Sequence, residues 1–236
     1  MPPQFNYQVV RRGAFHRTTS IRINPNGEVI VRAPSWLPAW EIEHFVKSKS
    51  DWITKQLIRY KNQPEPINKN FTEGELHPLL GSDYPLKITK LPFINRCRLK
   101  FADDSFQAIV PDNFTTDEQK QSLEILMLKL YLEHGQRAIN EKVYNFTKML
   151  GVTYNRITLK KVSSIWGSCS RANNLNFNRK LVLAPHSVID YVVIHEVCHL
   201  IHRHHRESFW DLVKSLCPEY KSHVRWLKNN QHLLSI

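Results

Sequence analysis

The sequence predicts an α+β fold, and three observations carry that prediction. The first half alternates apolar and polar residues in short runs bounded by turn residues, residues 116–150 hold a long helical repeat, and residues 187–201 form an apolar stretch punctuated by histidines. In chain order, Ile21 and Ile23, the turn Asn24-Pro25-Asn26-Gly27, then Val29 and Val31 predict a β-hairpin. From Pro38 to about Tyr60 the apolar residues Ile42, Phe45, Val46, Ile53 and Leu57 recur at helical spacing with Lys47, Lys49, Lys55 and Arg59 between them, which predicts one amphipathic helix. Gln63-Pro64-Glu65-Pro66 ends it and begins a short linker. Leu79 to Pro85 reads as a second turn between short strands, and Arg98–Phe101 and Phe106–Val110 as further strands.

Thr116 with Gln119 is read as the capping box of the long helix, Leu123, Leu126, Met127, Leu130, Tyr131, Ile139, Val143, Phe146 and Leu150 as its apolar face, and Gly151 as its stop. Ile157, Leu159 and Val162 alternate as a strand; Leu175, Phe177, Leu181 and Leu183 suggest one or two more, ending at Pro185. Ser187 with Asp190 reads as a second capping box, opening a helix that Val188, Ile189, Val192, Val193, Ile194, Val197, Leu200 and Ile201 make apolar around most of its circumference. Phe209–Leu216 and Tyr220–Leu227, separated by Cys217-Pro218, close the chain as two short helices.

A hydrophobic share of 42% and a charged share of 23% over 236 residues are those of a globular protein with ample core. No apolar run is long enough to span a bilayer and the first residues lack a basic segment leading into an apolar one, so the expected location is cytoplasmic with no membrane partner. Cys97, Cys169, Cys198 and Cys217 show no C-x-x-C pair and read as reduced thiols. The net charge of +12 is concentrated: no Asp or Glu lies between Glu141 and Asp190, whereas Lys142, Lys148, Arg156, Lys160, Lys161, Arg171, Arg179 and Lys180 do. A nucleic acid, a nucleotide or an acidic polypeptide suits such a stretch, as does a merely solvated surface. Oligomeric state leaves no mark on the sequence.

The chemistry lies in His195-Glu196-Val197-Cys198-His199. Four residues along a helix is a little over one turn, so the two imidazoles share a face and can grip one metal ion, with Glu196 beside the first ligand and free to reach a water, as in H-E-x-x-H zinc hydrolases. Three fixed residues in five arise by chance in a few per cent of chains this long. A buried helix is a costly place for such groups unless they are paired or bind a metal, which favours a zinc site.

A catalytic zinc usually keeps three protein ligands and leaves a fourth position for water. Three residues compete for the third place. His205, six residues after His199, has the spacing of the H-E-x-x-H-x-x-G-x-x-H motif, although His202 stands where that motif has glycine; Glu219 lies twenty residues after His199; and His204 neighbours His205.

The segments Trp166-Gly167-Ser168-Cys169-Ser170, Asn174-Leu175-Asn176-Phe177-Asn178, Leu181-Val182-Leu183-Ala184-Pro185, Ile189-Asp190-Tyr191-Val192-Val193 and His195 to Leu200, continued by His205 and Phe209-Trp210, resemble the YgjP-like zinc metallopeptidase family. The likeness is distinctive from Trp166 to Trp210 and more diffuse over the rest of the chain. It implies a zincin-like metallopeptidase core built of a long helix, a small sheet, the metal-bearing helix and terminal helices. In that family an Asn-His-Ser segment before the Phe-Trp pair supplies the third ligand; here those positions read His204-His205-Arg206. The resemblance thus implies a zinc (Zn2+) site of His195, His199 and His205, with Glu196 catalytic. The expected division is a β-rich region with one amphipathic helix over residues 1–113 and the catalytic region over 114–236.

The expected activity is peptide-bond hydrolysis on a polypeptide, with Glu196 as general base to an activated water. Two rivals stand beside it: a zinc hydrolase of a phosphoanhydride or nucleotide, which suits the basic stretch but lacks a G-x-x-x-x-G-K-[ST] loop, and a nucleic-acid-associated protease or binding module. Tyr191, one turn before His195, is a candidate oxyanion donor or a core residue; Asp190, Glu207 and Asp211 are candidates to orient the imidazoles. Trp166–Cys169 reads either as a cleft border whose backbone adds to an extended substrate or as a Trp anchor with a tight turn.

Overall fold

Strands β1 (Tyr7–Arg12), β2 (Ser20–Ile23) and β3 (Val29–Pro34) form a sheet in the order β1-β3-β2. The expected hairpin takes the register its alternation dictates, with Ile21 opposite Val31 and Ile23 opposite Val29 across antiparallel β2 and β3. The computed structural model describes residues 5–13, 17–24, 26–61, 69–162, 165–231 and 234. The Gln63–Pro66 linker lies outside the described residues, as does Pro25 of the hairpin turn.

The chain divides into two units, Met1–Glu65 and Pro66–Ile236. In the first, the expected single amphipathic helix is two, α1 (Ala39–Ser48) and α2 (Ser50–Lys61), broken at Lys49. At the break the Lys49 N–H bonds to the Val46 carbonyl at 3.1 Å and the Ser48 hydroxyl donates to the Phe45 carbonyl at 2.7 Å. Ile42, Val46 and Ile53 still pack on Val29, Val31 and Ala33 of the sheet, closing a small core.

The second unit holds a four-stranded sheet of β4 (Leu76–Leu79), β5 (Ser82–Leu91), β6 (Arg98–Ala102) and β7 (Ser105–Pro111), ordered β4-β5-β7-β6. Leu80 and Gly81, at φ 52° and 90°, make the two-residue turn joining β4 to β5, the left-handed geometry that matches strand twist. Against this sheet lies α3 (Thr116–Leu150). Its capping box is Thr115 with Glu118, one residue before the expected pair: Thr115 Oγ1 accepts from the Glu118 N–H, and the Thr115 N–H donates to Glu118 Oε2 at 2.9 Å. Gly151 ends it at φ 63°.

Phe106, Ala108 and Val110 of β7 share one core with Leu123, Met127, Leu130 and Tyr131 of α3. The expected division at residue 113 therefore falls inside the second unit, between elements that pack together.

Beyond α3, β8 (Arg156–Lys160), β9 (Gly167–Cys169) and β10 (Asn174–Asn178) form a sheet ordered β8-β10-β9, with β9 antiparallel at the edge. Leu181 and Leu183, expected in a strand, sit instead in a 3-10 turn, Arg179–Leu183. Asn178 starts that turn by accepting from the Lys180 N–H through its side chain, which ends the strand. The turn delivers the chain to α4 (His186–Cys198), capped by Pro185 with no side-chain cap. The expected Ser187–Asp190 box does not form; the Asp190 carboxylate pairs with Lys142 on α3 at 2.6 Å. Helices α5 (Glu207–Leu216) and α6 (Tyr220–Asn230) follow, and Glu219 sits at the start of α6. The result is an α+β fold in which α4 is packed between α3, β9, α5 and α6. Among the described residues, no helix is long and apolar enough to cross a membrane, and all four cysteines are free.

Candidate metal centre

Helix α4 is apolar around nearly its whole girth, with Val188, Ile189, Val192, Val193, Ile194, Val197 and Cys198 buried, so it is fixed by packing on every side. His195 and His199 leave it on the same face. His199 is the cap residue, and the chain then turns through the tight bonds Ile201 N–H to Cys198 O and His202 N–H to Cys198 O at 3.1 and 2.9 Å. That turn replaces the one a glycine at position 202 would have made. It brings His205 back over the helix end.

The ligand atoms of His195, His199 and His205 all lie within 4.8 Å of one another. His205 Nε2 is 3.1 Å from His199 Nε2 and 3.2 Å from His195 Nε2. Nitrogens held about 2.0–2.1 Å from a tetrahedral zinc stand about 3.3 Å apart, so the donor set fits such an ion. The protonation pattern fits as well. His199 Nδ1 lies 2.9 Å from the His202 carbonyl and can only donate there, leaving Nε2 with its lone pair aimed at the cluster. Burial, with His199 and His205 beside it, pushes the His195 imidazole down to about 4, so it is neutral at physiological pH. Neither Glu219 nor His204 belongs to this group.

Phe209 holds the three imidazoles. It is fully buried, stacks on His199 at 4.5 Å, and meets His205 and His195 edge-on at 4.8 and 5.0 Å. Trp210 closes the other side, 5.8 Å from both His195 and His205. Arg203 pins the returning loop to the β9–β10 turn, donating to the Ser170 carbonyl at 2.7 Å, to Cys169 Sγ at 3.1 Å and to Asn173 Oδ1. Of the residues expected to orient the imidazoles, Asp190 is engaged with Lys142, and the partner seen for His199 is a backbone carbonyl.

Glu196 points into the protein beside this cluster, 4% exposed, and burial pushes its carboxyl up to about 8. Its Oε2 and His195 Nδ1 are buried with no hydrogen-bond partner among the described residues. Burial keeps this carboxyl protonated near neutral pH, and a cation held by the imidazole cluster would favour its ionised form. The carboxylate rests against β9 at Gly167, where an added Cβ would lie 2.5 Å from Oε1. Within Trp166–Cys169, residues Gly167–Cys169 form an edge strand beside the site, not a tight turn. Asn178 steadies its approach, donating to the Val162 and Ile165 carbonyls at 3.0 Å each.

A cavity of about 400 Å3 opens onto His195 and Glu196. Tyr191 lines it, with its ring 6.0 Å from that of His195, and burial pushes its phenol up to about 12, so it stays protonated as a donor. None of the eight cations of the basic stretch lines this cavity. Gly167, Arg203 and Phe209 were not singled out for these roles by sequence; only the Trp166–Trp210 likeness pointed to their neighbourhood.

Comparison with known proteins gives one extensive match: the family described as YgjP-like, metallopeptidase domain, covers residues 17–230. No curated protein matches the chain. Among solved structures, the metallopeptidase zymogen abylysin of Pyrococcus abyssi is similar at 18% identity and a TM-score of 0.37, over 39% of this chain and 95% of that one. The metallopeptidase zymogen jannalysin of Methanocaldococcus jannaschii is similar at 19% identity and a TM-score of 0.32, over 37% of this chain and 94% of that one.

Proposed function

This chain belongs to the YgjP-like metallopeptidase family, and on that premise we propose that it is a zinc-dependent peptidase, with His195, His199 and His205 as metal ligands and Glu196 as general base. The supporting observation is the convergence of three imidazole nitrogens, at least one with its lone pair directed inward, beside a buried carboxylate on the wall of a cleft. Zinc bound there supplies a Lewis acid that makes water nucleophilic near neutral pH and polarises a carbonyl. Glu196 takes the proton of the attacking water and carries it to the leaving amine. Tyr191, protonated and with its ring 6.0 Å from that of His195, is our candidate donor to the oxygen on which charge develops. The outer edge of β9 offers backbone groups to an extended polypeptide.

The same reading assigns catalysis to residues 114–236, with the four-stranded sheet as its support, and a cytoplasmic setting suits the four free thiols. Metal analysis is the first test: zinc should be lost in His205→Ala and kept in Glu219→Ala and His204→Ala, and the reverse would overturn the ligand set. Zinc-loaded protein is then incubated with unfolded polypeptides, nucleoside triphosphates and DNA, beside Glu196→Gln. Polypeptide cleavage should fall by about 10²–10⁴-fold in the variant with zinc retained. Cleavage of nucleotides alone would replace the peptidase reading.

A further inference from the structure

The cavity beside the metal centre reaches well past the reacting groups, and its walls come from three separate elements. Tyr191 and Val192 belong to α4, Ile165 and Trp166 to the segment entering β9, and Val224 and Leu227 to α6. Val224, Leu227 and Lys228 on α6, with Gln231 at its C-cap, all line it, at the i, i+3, i+4 and i+7 spacing of a single helical face. The last of these helices is thus turned toward the cleft over about two turns.

The walls are carbon-rich, and two apolar side chains stand at them in contact with solvent: Val224 is 41% exposed and Ile165 48%. Neither is needed to fill a core; they flank an opening. The polar atoms come from His195 and Glu196 at the metal centre and from Lys228 and Gln231, while Ile165, Trp166, Val192, Val224 and Leu227 supply aliphatic and aromatic surface. Such a cavity gains from taking an apolar group out of water and gains nothing from a small or charged one.

Resting on the peptidase reading, we infer that this cavity is the substrate's side-chain subsite, and that it selects a large apolar residue adjoining the scissile bond. Gly167 and Glu196 line the end of the cavity that adjoins His195, so a group seated among the apolar walls would lie next to the metal centre. Large apolar side chains are mostly buried in folded proteins. The enzyme therefore acts on unfolded or extended polypeptide segments, and folded surfaces are poor substrates.

The test is to incubate the zinc-loaded full chain with a mixture of denatured proteins and to map the new termini by mass spectrometry. Cleavage sites should be enriched at least about 10-fold in Leu, Ile, Met or Phe at one position beside the cut. Val224→Asp should lose at least about 10-fold in kcat/KM on those sites and gain on sites with Lys or Arg at that position; Val224→Trp should shift cleavage to small residues. Both variants should keep their zinc, since Val224 is not one of the three residues grouped to hold a metal. Cleavage with no side-chain preference, or a preference unmoved by both variants, would overturn the subsite and leave the peptidase reading standing. Absence of any polypeptide cleavage by zinc-loaded protein would remove both.

Discussion

Replacing Gly167 by alanine tests the seat of Glu196 with the smallest possible change. The new methyl group would stand 2.5 Å from Glu196 Oε1, 2.6 Å from Cγ and 2.8 Å from Cδ, well inside van der Waals contact. A turn of the carboxylate alone does not relieve this, because the Glu196 Cγ is itself 2.6 Å from the added methyl and the residue is 4% exposed. Overpacking of this kind costs about 1–3 kcal/mol, which in a chain of this size lowers the melting temperature by about 2–12 °C.

The displaced carboxylate should also lose its aim, so turnover should fall by about 10²-fold or more while zinc stays bound. The assay is a double-mutant cycle, comparing Gly167→Ala in the wild-type and Glu196→Ala backgrounds by calorimetry and metal content. With the Glu196 side chain gone, the methyl group enters vacated space and its cost should drop below about 0.5 kcal/mol. An equal loss of stability in both backgrounds would place the strain in the β9 backbone and refute the argument.

Three further outcomes follow from the same structure. Arg203→Ala frees the loop that carries His205 from the β9–β10 turn, and zinc affinity should fall about 10-fold; Arg203→Lys should restore little, because one ammonium cannot reach the Ser170 and Asn173 oxygens as a fork does. His77 is 1% exposed between Phe71 and Phe106, and burial pushes it down to about 4 from the ordinary 6.5. Because the unfolded chain takes up the proton first, the stability this residue contributes is complete above pH 6.5. It is lost as pH falls toward 4, by about 3 kcal/mol at most, and His77→Phe should flatten urea midpoints over that window. Thr115→Ala removes the cap of α3 and should cost about 1 kcal/mol, whereas Thr116→Ala should cost a few tenths.

Local patterns were legible because local physics sets them. The Ile21/Val31 and Ile23/Val29 pairs follow from alternation about one turn, and the span of α3 from its apolar spacing and Gly151. Where two adjacent residues offer the same chemistry, as Thr115 and Thr116 do, the pattern fits either within one residue. The Ser187–Asp190 box failed for a different reason: Asp190 meets Lys142, 48 residues away, and Pro185 already starts the helix. The break at Lys49 leaves no mark in the apolar spacing, which runs on from Val46 to Ile53.

At the metal centre the histidine spacing was readable, since a helix fixes it. The contacts of Phe209 with three imidazoles, of Arg203 with a distant turn and of Gly167 with Glu196 join elements whose approach no spacing encodes.

The β4–β5 turn has a consequence for how this fold can vary. The Leu80 N–H donates to the Val182 carbonyl at 2.7 Å, and Gly81 comes so near α4 that a Cβ would lie 2.4 Å from Pro185 Cα. The two-residue turn between β6 and β7, Asp103-Asp104, has the same left-handed geometry, and both of its residues are exposed. Surface hairpins ordinarily accept insertions and exchange of residues. The Asp103 turn has that freedom, while the Gly81 turn is fixed in length and composition by the helix start it abuts. A region far from the histidines in sequence is thereby under the same constraint as the centre itself, and a graft or tag that one hairpin would carry silently would, at the other, unseat the helix that bears His195.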